Sequence, residues 1–185
     1  MNEDVLKEVE RRMIGATEAF KSSLRKLRTG RASLALVDGV KVDYYGSPAP
    51  LNQVASLSVP DPTTITIAPW EPSLLGTIEK AILKSNLGLT PNNDGKVIRL
   101  NIPPLTEERR RDLVKIAQGD AESARNQIRQ IRRDGNEEFK GLERDKEISE
   151  DEMHTGQDKV QKLTDTYVAK INEILKAKEK EILEV

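Results

Sequence analysis

The sequence contains no cysteine and one histidine, so the side chains that most often serve as nucleophiles, proton shuttles and transition-metal ligands are nearly absent. Without cysteine, disulfides and thiolate metal clusters are excluded. His154 falls in the acidic first turn of a predicted helix, where an exposed or capping role is favoured over catalysis. The sequence also lacks a G-x-x-x-x-G-K-[ST] phosphate loop. We therefore expect no enzymatic activity, no cofactor and no metal site.

Long apolar runs are missing too, and no signal-peptide pattern occurs at the start of the sequence. Together with the lack of cysteine, this leads us to expect a cytoplasmic protein. The 30 basic and 31 acidic residues nearly cancel, which is not the charge balance of a broadly basic, nonspecific nucleic-acid binder. Any nucleic-acid site must therefore be local.

Charge and proline are distributed unevenly along the chain. Residues 31–104 hold all nine prolines but only six of the 30 basic and six of the 31 acidic residues. A neutral, proline-rich segment between two highly charged ones indicates one domain inserted into another. We predict a first domain formed by residues 1–29 and 105–185, a second formed by 31–104, and connections near 28–31 and 102–105.

Three long segments carry apolar residues at steps of three and four, the spacing of amphipathic helices. The first is predicted to run from residue 5 to near Thr29 and Gly30. The second covers 106–143 with Thr106 as N-cap, and the third opens at a capping box in 149–152. Because three long apolar stripes need burial, we predict an antiparallel three-helix bundle with a short turn near 146–148.

The middle segment has alternating apolar and polar residues, which is typical of half-buried strands. The predicted strands are 39–45, 55–59, 64–68 and 96–102, the predicted turns are 46–48, 60–62 and 92–95, and the predicted helix is 73–85. The fold class is therefore α+β, a three-helix bundle of long helices with an inserted small β/α/β sandwich.

A row of cations lies in the middle of the second long helix. Residues 125–133 read Arg-Asn-Gln-Ile-Arg-Gln-Ile-Arg-Arg. At about 100° per residue, Arg125, Arg129 and Arg132 flank the apolar stripe, and Arg133 faces solvent. With no acidic partner four residues away from the first three, these forked cations suit phosphate groups. The alternative is a solvated face whose charges serve only solubility.

Two further features each allow two interpretations. Tyr44, Tyr45 and Trp70 can stack on RNA bases, but in a chain with six aromatic residues we expect them in the core and at the strand edges of the inserted domain. Residues 28–31 and 102–105 combine a glycine with a proline pair. They form either a hinge or a fixed pair of linkers.

Five motifs together resemble the ribosome recycling factor family. They are Leu27-Arg28-Thr29-Gly30-Arg31-Ala32-Ser33, Val42-Asp43-Tyr44-Tyr45-Gly46, Leu105-Thr106-Glu107-Glu108-Arg109-Arg110, Ile131-Arg132-Arg133-Asp134 and Ile148-Ser149-Glu150-Asp151-Glu152. The resemblance implies a monomer that is L-shaped like transfer RNA. It also implies a factor that binds the post-termination ribosome and, with elongation factor G and GTP, promotes subunit separation and release of mRNA and tRNA.

The resemblance further implies that the bundle binds large-subunit ribosomal RNA, while the inserted domain faces the small-subunit side of the intersubunit space. The arginines that match the family's RNA contacts are Arg110, Arg129, Arg132, Arg133, Arg28 and Arg31. The matching hinge residues are Thr29, Gly30, Arg31, Ile102, Pro103, Pro104 and Leu105. Departures from the family pattern occur at Asn126, Gln127, Gln130, Gly135 and Thr63. The competing hypothesis is a helical-bundle adaptor that binds proteins without RNA contact.

Overall fold

A computed structural model describes residues 2–27 and 29–184, and these form two compact units. The first, which we call the bundle, takes the described residues of Met1–Thr29 and Glu107–Glu184. The second, which we call the insert, takes Gly30–Thr106. Helices and strands are numbered along the whole chain.

The bundle consists of three long helices, α1 (Asn2–Arg25), α4 (Glu107–Arg144) and α5 (Glu150–Leu183). The second and third predicted helices are confirmed nearly to the residue. The prediction that α1 reaches Thr29 is wrong. Two tight turns, in which the N–H groups of Lys26 and Leu27 donate to carbonyls three residues earlier, end the helix.

The core of the bundle lies along the three predicted apolar stripes. Its buried side chains include Val5, Val9, Met13, Phe20, Leu24, Ala117, Ala121, Ala124, Ile128, Ile131, Phe139, Val160, Tyr167 and Ile171. Two helix glycines lie where the helices approach closely. A Cβ atom on Gly135 would lie 2.8 Å from Val9 Cγ2, and one on Gly156 would lie 2.4 Å from Phe139 Cε1. The helices therefore pack at distances that side chains at these two positions would prevent.

The turn between α4 and α5 is fixed by backbone and side-chain hydrogen bonds at both ends. Lys146 adopts a left-handed conformation (φ +60°), and the N–H groups of Lys146 and Glu147 donate to Glu143 and Leu142, each at 2.9 Å. Ser149 then caps α5, since its hydroxyl accepts the Glu152 N–H while the Glu152 carboxylate accepts the Ser149 N–H at 2.8 Å. The predicted turn and capping box are both confirmed.

The insert contains two antiparallel sheets. One pairs β1 (Lys41–Tyr44) with β2 (Ser47–Pro50). The other has the order β3-β4-β6-β5, formed by Ala55–Asp61, Thr64–Pro69, Ile98–Asn101 and Pro91–Asn93. Helix α3 (Leu75–Lys84) packs against β1, and α2 (Leu51–Val54) is a single turn. The architecture is α+β, as predicted.

The core of the insert is aliphatic. Its fully buried side chains include Val42, Ile65, Ile67, Ile78, Ile98 and Leu100, and around them lie Val37, Val40, Leu51, Val54, Ile82 and Ile102. Most of these residues are β-branched, which favours packing on a pleated surface. The expectation that the aromatic residues contribute to this core is wrong, because Tyr45 is 79% and Trp70 is 66% exposed.

The turn predicted at residues 46–48 is wrong in position. The turn residues are Tyr45 and Gly46, both with positive φ (51° and 85°), as a two-residue type I′ hairpin requires. Strand β2 follows at once, although it contains Pro48 and Pro50. These prolines face Asp43 and Lys41, the positions of a two-residue hairpin that form no ladder hydrogen bonds, so no donor is lost.

Strand β5 was also missed, because Asn92 and Asn93 were predicted to lie in a turn. Both pair with β6, and the turn begins at Asp94, whose Oδ1 accepts the N–H groups of Lys96 and Val97 at 2.9 Å each. Strand β6 therefore starts two residues later than predicted. The turn predicted at residues 60–62 also begins too early, because β3 extends through Pro60 to Asp61, with a register shift in its pairing with β4.

Candidate RNA-binding surface

Helix α4 holds the predicted arginine row beside its buried stripe. Ala121, Ala124, Ile128 and Ile131 are buried, so α5 and α1 fix the rotation of α4 about its axis. The flanking arginines differ in exposure: the Arg125 side chain is 17% and the Arg129 side chain 45% exposed. Arg132 is half-buried, and Arg133 is exposed. Arg125 and Arg132 are therefore partly covered in the fold, while Arg129 and Arg133 are open to solvent.

The row has a carboxylate partner that the sequence reasoning did not anticipate. Glu122 Oε2 lies 3.2 Å from Arg125 Nη1, and its Oε1 lies 3.1 Å from Arg129 Nη1. Asn126 Oδ1 also accepts from Arg129 at 2.9 Å. Glu122 lies three and seven residues before the two arginines, so the absence of an acidic residue four positions away does not leave the row unpaired.

Arg129 and Arg132 border an open groove between α4 and α5. The groove is lined by Arg129, Arg132, Gln161, Asp165, Val168 and Ala169, among others. Arg132 Nη1 donates to Gln161 Oε1 over 3.5 Å, and Gln161 Nε2 donates to Asp165 Oδ1 at 2.8 Å. Within the described residues, the Arg132 guanidinium thus has one long bond to a neutral amide and keeps most of its donors available for an anion.

A second interaction next to the row was also missed. Asp134 accepts Arg12 Nη2 at 2.7 Å, which joins α1 to α4, and accepts Gln130 Nε2 at 2.7 Å. The hydrogen bond from Arg12, followed by that from Gln130, lowers the pKa of the Asp134 carboxyl. The charge of Arg133 lowers the same pKa, and Arg133 forms no hydrogen bond or ion pair in the described part of the chain.

Arg110 lies away from the row on the same helix. Arg110 is 19 residues before Arg129 on α4, about 28 Å along the axis at about 1.5 Å per residue. It is half-buried, and its Nε is buried without a hydrogen-bond partner in the described structure. Arg31 is exposed on the insert. Arg28 lies outside the described residues. Among the predicted arginines that the structure describes on the bundle, it brings together Arg129, Arg132 and Arg133.

The predicted hinge residues have firm contacts within each unit. In the bundle, Thr29 is buried and its hydroxyl donates to Glu181 Oε1 at 3.2 Å. In the insert, the N–H groups of Ala32 and Ile102 donate at 2.7 Å to the carbonyls of Pro62 and Thr63. The residues between these attachments are Gly30, Arg31 and 103–106.

Gly30 has a conformation and an environment that only glycine fits well. Its φ is +75°, in the left-handed region, and a Cβ atom there would lie 2.9 Å from Leu105 Cγ. Since both residues belong to the insert, the segments predicted around residues 30 and 105 lie side by side within that unit.

The described residues offer little for catalysis or metal binding. His154 is exposed, and its Nε2 lies 3.7 Å from Glu150 Oε1 in the first turn of α5. Across 2–27 and 29–184, no group of three or more His, Asp or Glu side chains is arranged to hold a metal ion. In the same ranges no helix has the length and apolarity needed to cross a membrane.

Comparison with known sequences points to one family. The family model described as Ribosome recycling factor matches residues 20–183. A ribosome-recycling factor from Syntrophus aciditrophicus is 55% identical over the whole of both chains. Another from Oleidesulfovibrio alaskensis is 57% identical over 98% of each chain.

Comparison with solved structures gives the same result. A solution structure of a ribosome recycling factor matches with a TM-score of 0.77 and 45% identity, covering 100% of this chain and 98% of that chain. A second match has a TM-score of 0.64 and 43% identity and covers 99% of both chains. That structure contains models of the T. thermophilus ribosome recycling factor and the E. coli elongation factor G bound to the E. coli post-termination complex.

Proposed function

Since the chain belongs to the ribosome recycling factor family, we propose that it binds ribosomes after termination and, with elongation factor G and GTP, separates their subunits. Messenger RNA and transfer RNA leave as a result. The protein itself performs no covalent chemistry, and GTP hydrolysis by the elongation factor supplies the free energy. The site of action is the cytoplasm, where the protein works as a monomer.

The observation that carries this proposal is the position of Arg129 and Arg132 on one border of the α4/α5 groove. A guanidinium presents several N–H donors in one plane and can bind a phosphate through two parallel hydrogen bonds. Arg132 is the principal contact to large-subunit ribosomal RNA, because its only hydrogen bond in the described structure is long and involves a neutral partner. Arg129 contributes after exchanging Glu122 for a phosphate.

The remaining arginines have supporting roles in this proposal. Arg133 faces solvent on the same helix and contacts the phosphate backbone. Arg110 extends the contact toward the start of α4. Arg31 and Arg28 add positive charge near the connections between the units. Contacts of this kind set position and affinity on RNA and do not read its sequence.

The connections between the units act as a hinge. Thr29 is held to the bundle by Glu181, and Ile102 is held to the insert by Thr63. Gly30 and Arg31 on one connection, with Pro103, Pro104 and Leu105 on the other, lie between these attachments. Rotation at these few positions lets the insert move against the small-subunit side of the intersubunit space while the bundle stays on the RNA.

A ribosome-splitting assay tests the function directly. Post-termination ribosomes are mixed with the protein, elongation factor G and GTP, and light scattering reports subunit separation. We expect fast splitting only when all three are present. If the protein gives no acceleration over elongation factor G and GTP alone, the proposed function is wrong.

Replacing Arg132 by Ala tests the proposed contact. We expect affinity for large subunits to fall by about 1–3 kcal/mol and the slope of log K against log salt to become shallower by about one. The matched control is Arg111→Ala, since Arg111 is an exposed arginine (71%) on the same helix, paired with Glu107. Equal losses for both variants would indicate general charge attraction and would move the site away from the groove.

A further inference from the structure

The insert has a groove of its own, distant in sequence from the arginine row, which we call the lysine groove. One wall is a face of α3 that carries Thr77, Lys80 and Lys84 at helical spacing. The other wall includes Lys41, the first residue of β1, and Asp43. The packing of α3 against β1 therefore brings together three lysines that are separated by up to 43 positions in the sequence.

These lysines concentrate positive charge in a unit whose total charge is balanced. Residues 31–104 contain six basic and six acidic side chains, and half of the basic ones line this groove. The only acidic lining residue is Asp43, whose Oδ1 already accepts the N–H of Gly46 at 2.9 Å. The groove thus has a local excess of positive charge that the composition of the unit does not predict.

None of the three lysines forms a salt bridge with another residue of the described chain, and all three are exposed. Lys80 and Lys84 lie four residues apart on α3, where two like charges repel each other. The other charged residue nearby on the helix, Glu79, accepts a hydrogen bond from Asn93 of β5 instead. A bound anion would relieve the repulsion between Lys80 and Lys84.

We propose that the lysine groove binds the phosphate backbone of RNA, as a second contact in addition to the arginine row of the bundle. Lysine ammonium groups are point charges suited to successive phosphates, and Thr77 offers a hydroxyl donor. The lining residues include no aromatic side chain and no large exposed apolar one. Without such anchors the groove does not resemble the centre of a protein interface, so RNA is favoured over an acidic protein.

An NMR titration of the intact protein with a short oligouridylate tests this proposal. We expect amide shifts at residues 39–41 and 77–85 that are distinct from those on α4, with a dissociation constant that rises steeply with salt. Changing Lys41, Lys80 and Lys84 together to Gln should abolish the shifts in the insert. It should also reduce the salt slope by about two, at about 0.7 per phosphate contact on a single strand.

Lys96→Gln is the matched control, since Lys96 is an exposed lysine of the insert outside the groove. It should leave the shifts at 77–85 unchanged. Because all three groove lysines are exposed, the triple substitution should leave the fold intact. An unchanged NMR spectrum of the buried β4 residues checks this. Shifts confined to the bundle would overturn the proposal. Tighter binding of a polyglutamate peptide of equal charge would overturn it in favour of an acidic protein partner.

Discussion

The bundle buries its aromatic side chains, whereas the insert exposes its own. Phe20, Phe139 and Tyr167 are at most 4% exposed, and Tyr44, Tyr45 and Trp70 are 37%, 79% and 66% exposed. In the bundle, the Phe139 ring packs against Gly156 of the neighbouring helix, where no side chain competes for the space. The core of the insert is instead filled by aliphatic, mostly β-branched side chains. Aromatic residues therefore mark the core in one unit and the surface in the other.

Glycine also serves a different purpose in each unit. In the bundle, Gly135 and Gly156 lie in helices at close contacts with neighbouring side chains. In the insert, Gly30, Gly46, Gly88 and Gly95 all have positive φ. Bundle glycines thus permit close packing, and most insert glycines permit turns. The same substitution, glycine to alanine, should fail for different physical reasons in the two units.

The largest effect is expected from Phe139→Ala. Phe139 of α4 is fully buried against Gly156 of α5, so its loss should lower the free energy of unfolding of the bundle by about 3–5 kcal/mol. The NMR signals of Ile67 and Ile98 in the insert should stay unchanged. Ile116→Ala is the control, since Ile116 is 42% exposed on the same helix. If the insert unfolds together with the bundle, the two units are not independent.

Gly156→Ala should destabilise the bundle by about 1–3 kcal/mol, because the added Cβ would overlap the Phe139 ring. Gly119→Ala, at a helix position with open space, should instead stabilise it by about 1 kcal/mol. Both values come from chemical denaturation monitored by circular dichroism. Adding Phe139→Leu to Gly156→Ala should recover part of the loss, and strict additivity of the two substitutions would argue against direct overlap.

In the insert, Gly30→Ala should cost about 1–2 kcal/mol because alanine disfavours the left-handed conformation. The contact with Leu105 adds to this cost. The control is Gly39→Ala, which has an ordinary φ and no atom near its Cβ. Unfolding of the insert is followed by hydrogen exchange of β4 and β6 amides. Equal protection in both variants would contradict the role assigned to Gly30.

The smallest effect is expected from protonation of Asp94 in the turn between β5 and β6. Hydrogen bonds from the backbone N–H groups of Val97 and Lys96, followed by the Arg99 side chain, lower the pKa of Asp94 from 3.8 to about 2. A lowered pKa in the folded state means that the stabilisation is complete above about 3.8 and is lost as the pH falls through about 2. Carbon-13 titration of the Asp94 carboxyl measures this. In Asp94→Asn the chemical shift of the Val97 amide should lose its pH dependence in that range. If the pH dependence remains, it comes from a group other than Asp94.

Sequence reasoning succeeded for elements whose signals are local. The bounds of α4 and α5 follow from apolar spacing and from the Ser149 and Glu152 capping box, all within a few residues of each other in the chain. Strands β2 and β5 form only by pairing with β1 and β6. Their own residues, such as Pro48 and Asn92, are typical of turns and so predict no strand. Local propensity cannot reveal such pairing.

The same distinction applies to the candidate site. The spacing of Arg129 and Arg132 on a helix flank was readable from the sequence, and so was the exposure of Arg133. The contact between Arg12 and Asp134 was not, since 122 positions separate the two residues. The lysine groove was missed for the same reason, because Lys41 reaches α3 only through tertiary packing.

Glu122 gives the arginine row a carboxylate counter-charge of its own. An anion that binds Arg129 competes with Glu122, which pairs with both Arg125 and Arg129. This competition makes the net affinity for the anion lower than unpaired arginines would give. Under the proposed function, Glu122 therefore competes with ribosomal RNA for Arg129.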